Sequence, residues 1–241
     1  MISINNVTKT YGSGIKAVDS LSLEVRKGEI FGFLGPNGAG KTTTIKMVTG
    51  ILPPDEGTVL INGYDIAKDP INAKMEIGFV SDDPNVFERL KGLEYLNFMA
   101  DIYKVPAEGR RERILELADE FEMTNALDDK IQSYSHGMKQ KIVVMGVLIH
   151  DPDVWILDEP LSGLDPKSSF TLKKIMRDHA DKGNTVMFST HVLEVAEKVC
   201  DRIAVINKGR ILFVGTLAEM KATLKTDTSL EKMFLEMTDD E

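Results

Sequence analysis

Cysteine is almost absent: Cys200 stands alone among 241 residues, so neither an internal disulfide nor a multi-cysteine zinc site can form. Such sparse cysteine usage fits a reducing compartment. Long apolar runs are missing too. The longest, Ile142 to Ile149 with Gly146 inside it, falls far short of the ~20 residues that cross a bilayer. The opening string MISINNVTKT has no basic start leading into an apolar stretch, so no secretory signal is expected. Positive charge is in deficit: 29 Lys and Arg face 38 Asp and Glu, a net charge of −9. Affinity for nucleic acid comes largely from neutralising phosphates, so no nucleic-acid partner is expected. One anionic ligand held in a small electropositive pocket is still compatible with that balance. With 42% hydrophobic and 28% charged residues, collagen-like, disordered and disulfide-framework chains are excluded, and a globular fold is expected. The closing TDDE reads as a solvated tail.

The chain has three textures and no internal repeat. Residues 1–82 are rich in β signals and turns. Leu21, Leu23 and Val25 alternate with Ser22, Glu24 and Arg26, the period of a half-buried strand. Glu29 to Leu34 reads as a buried strand, and Thr58–Ile61 and Glu76–Val80 as further strands. Beyond 83 the period turns helical, with Leu93, Leu96, Ala100 and Tyr103 in one stripe and Ile114, Leu117, Ala118 and Phe121 in another. After 150, strands at Val154–Leu157, Thr185–Ser189 and Arg202–Ile206 alternate with helices at 167–181 and 192–199. That alternation predicts an α/β fold built on a largely parallel sheet. Leu230, Met233, Phe234 and Met237 form the stripe of a last amphipathic helix, expected to pack on its own domain.

Gly35-Pro36-Asn37-Gly38-Ala39-Gly40-Lys41-Thr42 fits G-x-x-x-x-G-K-[ST]. Its glycines let backbone N–H groups turn inward around an anion, and the helix that follows, Thr42 to Thr49, brings its positive end under the phosphates. Lys41 then reaches the terminal phosphates, and the Thr42 hydroxyl can ligate Mg²⁺. A second glycine string, Gly12-Ser13-Gly14-Ile15-Lys16-Ala17, imitates a dinucleotide-binding fingerprint. No long strand precedes it and period-two alternation follows it, so a hairpin turn is expected there.

Val154 to Leu157 runs straight into Asp158-Glu159-Pro160. In open parallel sheets ligands bind at the carboxyl ends of strands, where the phosphate loop also sits. Asp158 is therefore placed to support Mg²⁺ and Glu159 to polarise an attacking water. His191 ends a further such strand and can reach the terminal phosphate or the water. His136, His150 and His179 have no metal-ligand spacing. A GTPase would need Asn-Lys-x-Asp, and Asn207-Lys208-Gly209-Arg210 has the wrong charge in fourth place. At this level a phosphoryl transferase acting on a small acceptor stays open.

Two further strings and two single residues carry a resemblance. Tyr134-Ser135-His136-Gly137-Met138-Lys139-Gln140 resembles the signature motif of ATP-binding-cassette (ABC) ATPases, and Leu161 to Pro166 resembles their D-loop. His191 stands where that family has its switch histidine, and Tyr11 where an aromatic stacks on adenine. The likeness extends from Tyr11 to His191. It implies the P-loop ABC fold: a mixed-sheet core, an N-terminal antiparallel β subdomain and an inserted helical subdomain. The expected boundaries are 1–82 with 151–216 for the core, 83–150 for the helical subdomain that meets a partner, and 217–241 for a helical tail. The implied ligands are ATP, held by Tyr11, residues 35 to 43 (Gly35 to Thr43), Ser135, Gly137 and Asp165, and Mg²⁺, held by Thr42, Asp82 and Asp158. Glu159 and His191 are the implied catalytic pair. Ser135 and Gly137 open a helix, a second anion site that the resemblance assigns to the nucleotide of the opposite protomer in a head-to-tail homodimer or heterodimer. The segments Tyr134 to Gln140 and Asp82-Asp83-Pro84 also resemble bacterial export-type cassettes, which implies a separate transmembrane permease subunit and a place on the cytoplasmic face of a membrane. An ABC ATPase acting on ribosomes or DNA is the alternative, disfavoured by the acidic charge and the single cassette. Three positions depart from the family pattern: Asp82 in place of the Q-loop glutamine, His136 in place of a glycine and Met138 in place of a glutamine.

Overall fold

A computed structural model describes residues 1–12, 14–84, 87–224 and 228–239. Strand β1 (Ile2–Tyr11) pairs antiparallel with β2 (Ile15–Val25), and Ile2, Ile4, Val7, Val18, Leu21 and Val25 are buried between that sheet and the rest of the molecule. Tyr11 faces Ile15 across the turn, so the Gly12-to-Ala17 string is part of a hairpin, as its context predicts. Ser13 of that turn lies outside the described residues, as do Asp240 and Glu241 of the expected solvated tail.

Strand β3 (Ile30–Leu34) is buried at every residue and runs through the phosphate loop into helix α1 (Lys41–Val48). β4 (Glu56–Ile61) and the two-residue β5 (Tyr64–Asp65) complete a four-stranded antiparallel sheet in the order β2-β1-β4-β5. Helix α2 (Pro70–Met75) leads into β6 (Ile77–Val80). Helices α3 (Gly92–Ile102), α4 (Arg110–Glu120) and α5 (His136–Leu148) follow, as the helical period predicts. Strand and helix then alternate through β7 (Val154–Asp158), α6 (Pro166–Asp181), β8 (Thr185–Thr190), α7 (Leu193–Val199) and β9 (Arg202–Asn207). β10 (Arg210–Gly215), α8 (Leu217–Leu224) and α9 (Leu230–Asp239) close the chain's described part.

The second sheet has six strands in the order β10-β9-β3-β8-β7-β6. Five are parallel and β10 alone is antiparallel, so the sheet is mixed. The register sets Leu34 beside Thr190 and Asp158 beside Ser189. Three chain segments, after Leu34, Asp158 and Thr190, thus leave the sheet at one end and next to each other. β3, β7 and β8 are covered on both faces, which is why they read as unbroken apolar runs. One face packs α3, α5 and α6 around Trp155, Leu157 and Phe188, and the other packs α1 and the antiparallel sheet around Phe31, Phe33 and Ile156. Trp155 is the largest fully buried side chain. Trp155→Ala is expected to cost ~3–5 kcal/mol, read as a lower denaturant midpoint. On α9, Leu230 and Met233 are fully buried against Leu34, Val205 and Met220, the packing expected of its stripe.

Candidate functional site

A cavity of about 250 Å³ opens at the sheet end where the three segments meet. Pro36, Asn37, Gly38, Gly40, Lys41, Thr42 and Thr43 line it, with Ala17, Asp82 and Glu159. Gly38 and Gly40 have φ 81° and 109°, left-handed values that exclude most side chains, and they turn the loop back upon α1. At Gly40 a methyl group would lie 2.5 Å from the carbonyl oxygen of Ala17, so β2 closes one side of the loop. The β9–β10 turn closes another: Gly209 N–H donates to Ala39 O at 2.9 Å and Asp19 N–H donates to Gly209 O at 2.9 Å. Gly35 and Ala39 are not on the cavity wall. A methyl group on Gly35 would sit 2.5 Å from Ile206 O, and Ala39 is buried behind the loop.

Lys41 is only 7% exposed. Its ammonium donates to the carbonyl of Gly35 at 2.7 Å and lies 3.9 Å from Glu159 Oε1. Burial holds its pKa below the ordinary lysine value, against the pull of Glu159 and Asp158. A cation so stripped of water gains from an incoming phosphate. Asp158 is the mirror case. Burial raises its pKa, the nearby charges of Asp82 and Glu159 push the same way, and hydrogen bonds from Ser189 and Thr42 oppose them. A carboxylate in that position gains from a cation. Among the described residues no set of three or more His, Cys, Asp or Glu side chains forms a metal cage. Mg²⁺ does not require one, since it commonly takes one or two carboxylates together with phosphate oxygens and water. Thr42, Asp158 and Asp82 therefore suit it.

Glu159 occupies φ 47°, a conformation costing a non-glycine residue about 1–2 kcal/mol. It is held there by its own N–H, which donates to Ser189 Oγ at 3.1 Å, and by Ser162 N–H, which donates to its carbonyl at 3.1 Å. Its Oε1 lies 3.0 Å from Nδ1 of the exposed His191. Ser189 is the residue that sequence reasoning missed. Its hydroxyl accepts from Glu159 N–H and donates to Asp158 Oδ1, so one side chain holds both acids. The β7–β8 register that sets it beside Asp158 is a tertiary feature, so no local signal marked it. Ser189→Ala removes a donor to a buried carboxylate, worth ~1.5–3 kcal/mol. Turnover is expected to fall about ten- to a hundredfold, with a higher Mg²⁺ requirement in the same assay.

Other residues named from the sequence lie off this cavity. Tyr11 ends β1 and is 44% exposed, outside the cavity lining. Ser135 caps α5, its side chain accepting from Met138 N–H at 3.3 Å, and exposed Ser135 and half-buried Gly137 are not among the residues lining the cavity. Asp165 caps α6, accepting from the Ser168 hydroxyl and from Ser168 N–H at 3.0 Å, and those bonds hold its carboxyl down at about 2. The cavity is thus built by the phosphate loop, Ala17, Asp82 and Glu159, without the α5 terminus; Asp158 and His191 are not in its lining and meet it through Thr42 and Glu159.

The family model described as ABC transporter matches residues 18–162. The chain belongs to the ABC transporter family. Among curated relatives, the cassette is 35% identical over 96% of its length to the linearmycin resistance ATP-binding protein of Bacillus subtilis, covering 74% of that protein. It is 39% identical over 92% of its length to the daunorubicin/doxorubicin resistance ATP-binding protein of Streptomyces peucetius, covering 67% of it. Its fold matches a solved ATP-binding subunit of an ABC transporter with a TM-score of 0.94, at 29% identity over 98% of this chain and 99% of that one. It also matches a dimeric ATP-binding cassette in a post-hydrolysis state bound to ADP and Pi, with a TM-score of 0.81 at 27% identity over 90% of this chain and 99% of the other. The cassette is an ABC-type ATPase subunit of the α/β fold that its motifs imply. Among the described residues no helix is long and apolar enough to cross a membrane.

Proposed function

We propose that this cassette powers export through a separate transmembrane permease, with ATP cleaved in pockets that two protomers share. The reading rests chiefly on Lys41 and Glu159 lining one cavity, with Asp158 hydrogen-bonded by Thr42 of that lining and His191 3.0 Å from Glu159, while the α5 terminus is absent from the lining. Phosphates lie in the loop from Gly35 to Thr43, with Lys41 compensating their charge. Glu159 takes the proton of a water whose oxygen attacks the γ-phosphorus, as the bond from that phosphorus to the bridging oxygen breaks. His191 orients the Glu159 carboxylate through their 3.0 Å contact. Thr42, Asp158 and Asp82 would hold Mg²⁺, which supplies charge neutralisation to the phosphates when bound. Ser135, Gly137 and Asp165 serve the pocket of the opposite protomer, and Tyr11 stacks on the adenine.

Closure by ATP and release after cleavage supply the mechanical stroke, because the closed pair binds nucleotide better than the open one. Residues 83–150 are the surface offered to the permease, and 1–82 with 151–216 form the catalytic core beside a tail at 217–241. Export is supported by the relatives' names: two drug-resistance ATP-binding proteins and the Nod factor export ATP-binding protein I of Ralstonia nicotianae, 36% identical over 91% of this chain. Tagged cassette purified from detergent-solubilised membranes is expected to bring down a polytopic membrane protein. Recovery with ribosomes instead would contradict the transport reading.

A further inference from the structure

We propose that His136 is a positioning residue that locks the D-loop to the signature helix of its own protomer. The inference rests on the shared-pocket reading above, since both elements face the second protomer only in that arrangement. The structure shows what the imidazole of His136, at the start of α5, meets. Gly163, in the loop between Glu159 and α6, has φ 75°. A methyl group built on it would lie 2.3 Å from His136 Cδ2 and 2.7 Å from Nε2. The ring therefore fills the space that a side chain at 163 would take. Beside it, a methyl group on Gly137 would lie 3.3 Å from Gly163 O, so the first turn of α5 meets the loop backbone at close range.

A second tie lies one turn further along α5. Lys141, 12% exposed at its side chain, brings Nζ to 3.8 Å from Asp165 Oδ2. Inside the loop, Ser162 N–H donates to Glu159 O at 3.1 Å and Leu164 N–H donates to Leu161 O at a long 3.4 Å. The loop's shape leans on these contacts with α5. Glu159 belongs to the protomer's own pocket and Ser135 to the opposite one. The His136–Gly163 contact therefore joins the acid of one pocket to the signature half of the other. Fixing the loop before closure removes ordering cost from the closing step.

The test is a double-mutant cycle on the full-length cassette. His136→Gly is expected to lower kcat about fivefold with KM for ATP within about twofold of wild type, the pattern of a lost positioning contact. The melting temperature is expected to stay within about 3 °C, because the site is exposed. Gly163→Ala alone is expected to lower kcat more than about tenfold, since its methyl group meets the ring and its φ is unfavourable. In the His136→Gly background the same alanine is expected to cost at least about threefold less, because the collision is gone. An equal cost in both backgrounds overturns the lock. Wild-type turnover per protomer that is independent of protein concentration overturns the shared-pocket reading itself, and the lock with it.

Discussion

Glu159→Gln is expected to slow ATP turnover about a hundred- to a thousandfold while leaving nucleotide affinity within a small factor of wild type. The change keeps shape and hydrogen-bonding length and removes the capacity to take a proton, together with a negative charge 3.9 Å from Lys41 whose loss does not disfavour an anionic ligand. The Glu159 backbone at φ 47° is fixed by Ser189 and Ser162 and does not depend on the carboxylate. The amide can still meet His191 and stays near Lys41, so the pocket keeps its walls. Binding and chemistry then separate. ATP added to the variant is expected to populate a stable dimer on a sizing column, because closure proceeds and cleavage no longer releases it. Wild-type turnover in the variant would remove Glu159 from the base role.

Lys41→Ala is expected to fail one step earlier. Nucleotide affinity falls about a hundred- to several-thousandfold, in line with the ~3–5 kcal/mol lost when one partner leaves a buried charge pair. Two carboxylates, Asp82 and Glu159, line the cavity, Asp158 accepts a hydrogen bond from Thr42 of that lining, and Lys41 is the buried cation among the lining residues. Without it the wall is negative, and a triphosphate meets repulsion where attraction was arranged. The carbonyl of Gly35 also loses the donor 2.7 Å away. Fluorescent-nucleotide titration of the variant measures the loss, and unchanged affinity would contradict the phosphate-loop assignment.

Much of this site could be read before the fold was known, for a local reason. The phosphate loop, the Asp158–Glu159 pair and the Ser135 cap each depend on a few adjacent residues whose chemistry sets their conformation. Elements without a local pattern escaped. β1 carries register shifts after Ile4, Val7 and Lys9, which break its alternation. β5 has two residues, and α2 buries Ala73 alone, so neither shows a period. β10 exposes or half-exposes most of its length at a sheet edge. The strand expected over Glu76–Val80 begins at Ile77, because Glu76 is still the cap of α2. Supports contributed from afar were equally hidden. Ala17 and Gly209 reach the phosphate loop across sheet pairings, and Gly209 belongs to the very string whose charge argued against a GTPase. Ser189 and the His136–Gly163 contact arise from register and loop packing, which no short window encodes.

Sharing of each pocket between two protomers is tested most directly by mixing two inactive variants. Lys41→Ala disables the phosphate loop and Ser135→Arg the signature half, so each alone forms dimers without an intact pocket. In a head-to-tail mixed dimer, one pocket has both faults and the other has none. An equimolar mixture is expected to recover about a quarter of the wild-type rate, since about half the dimers are mixed and each has one good pocket of two. A mixture as inactive as its components would show that one protomer holds the whole site.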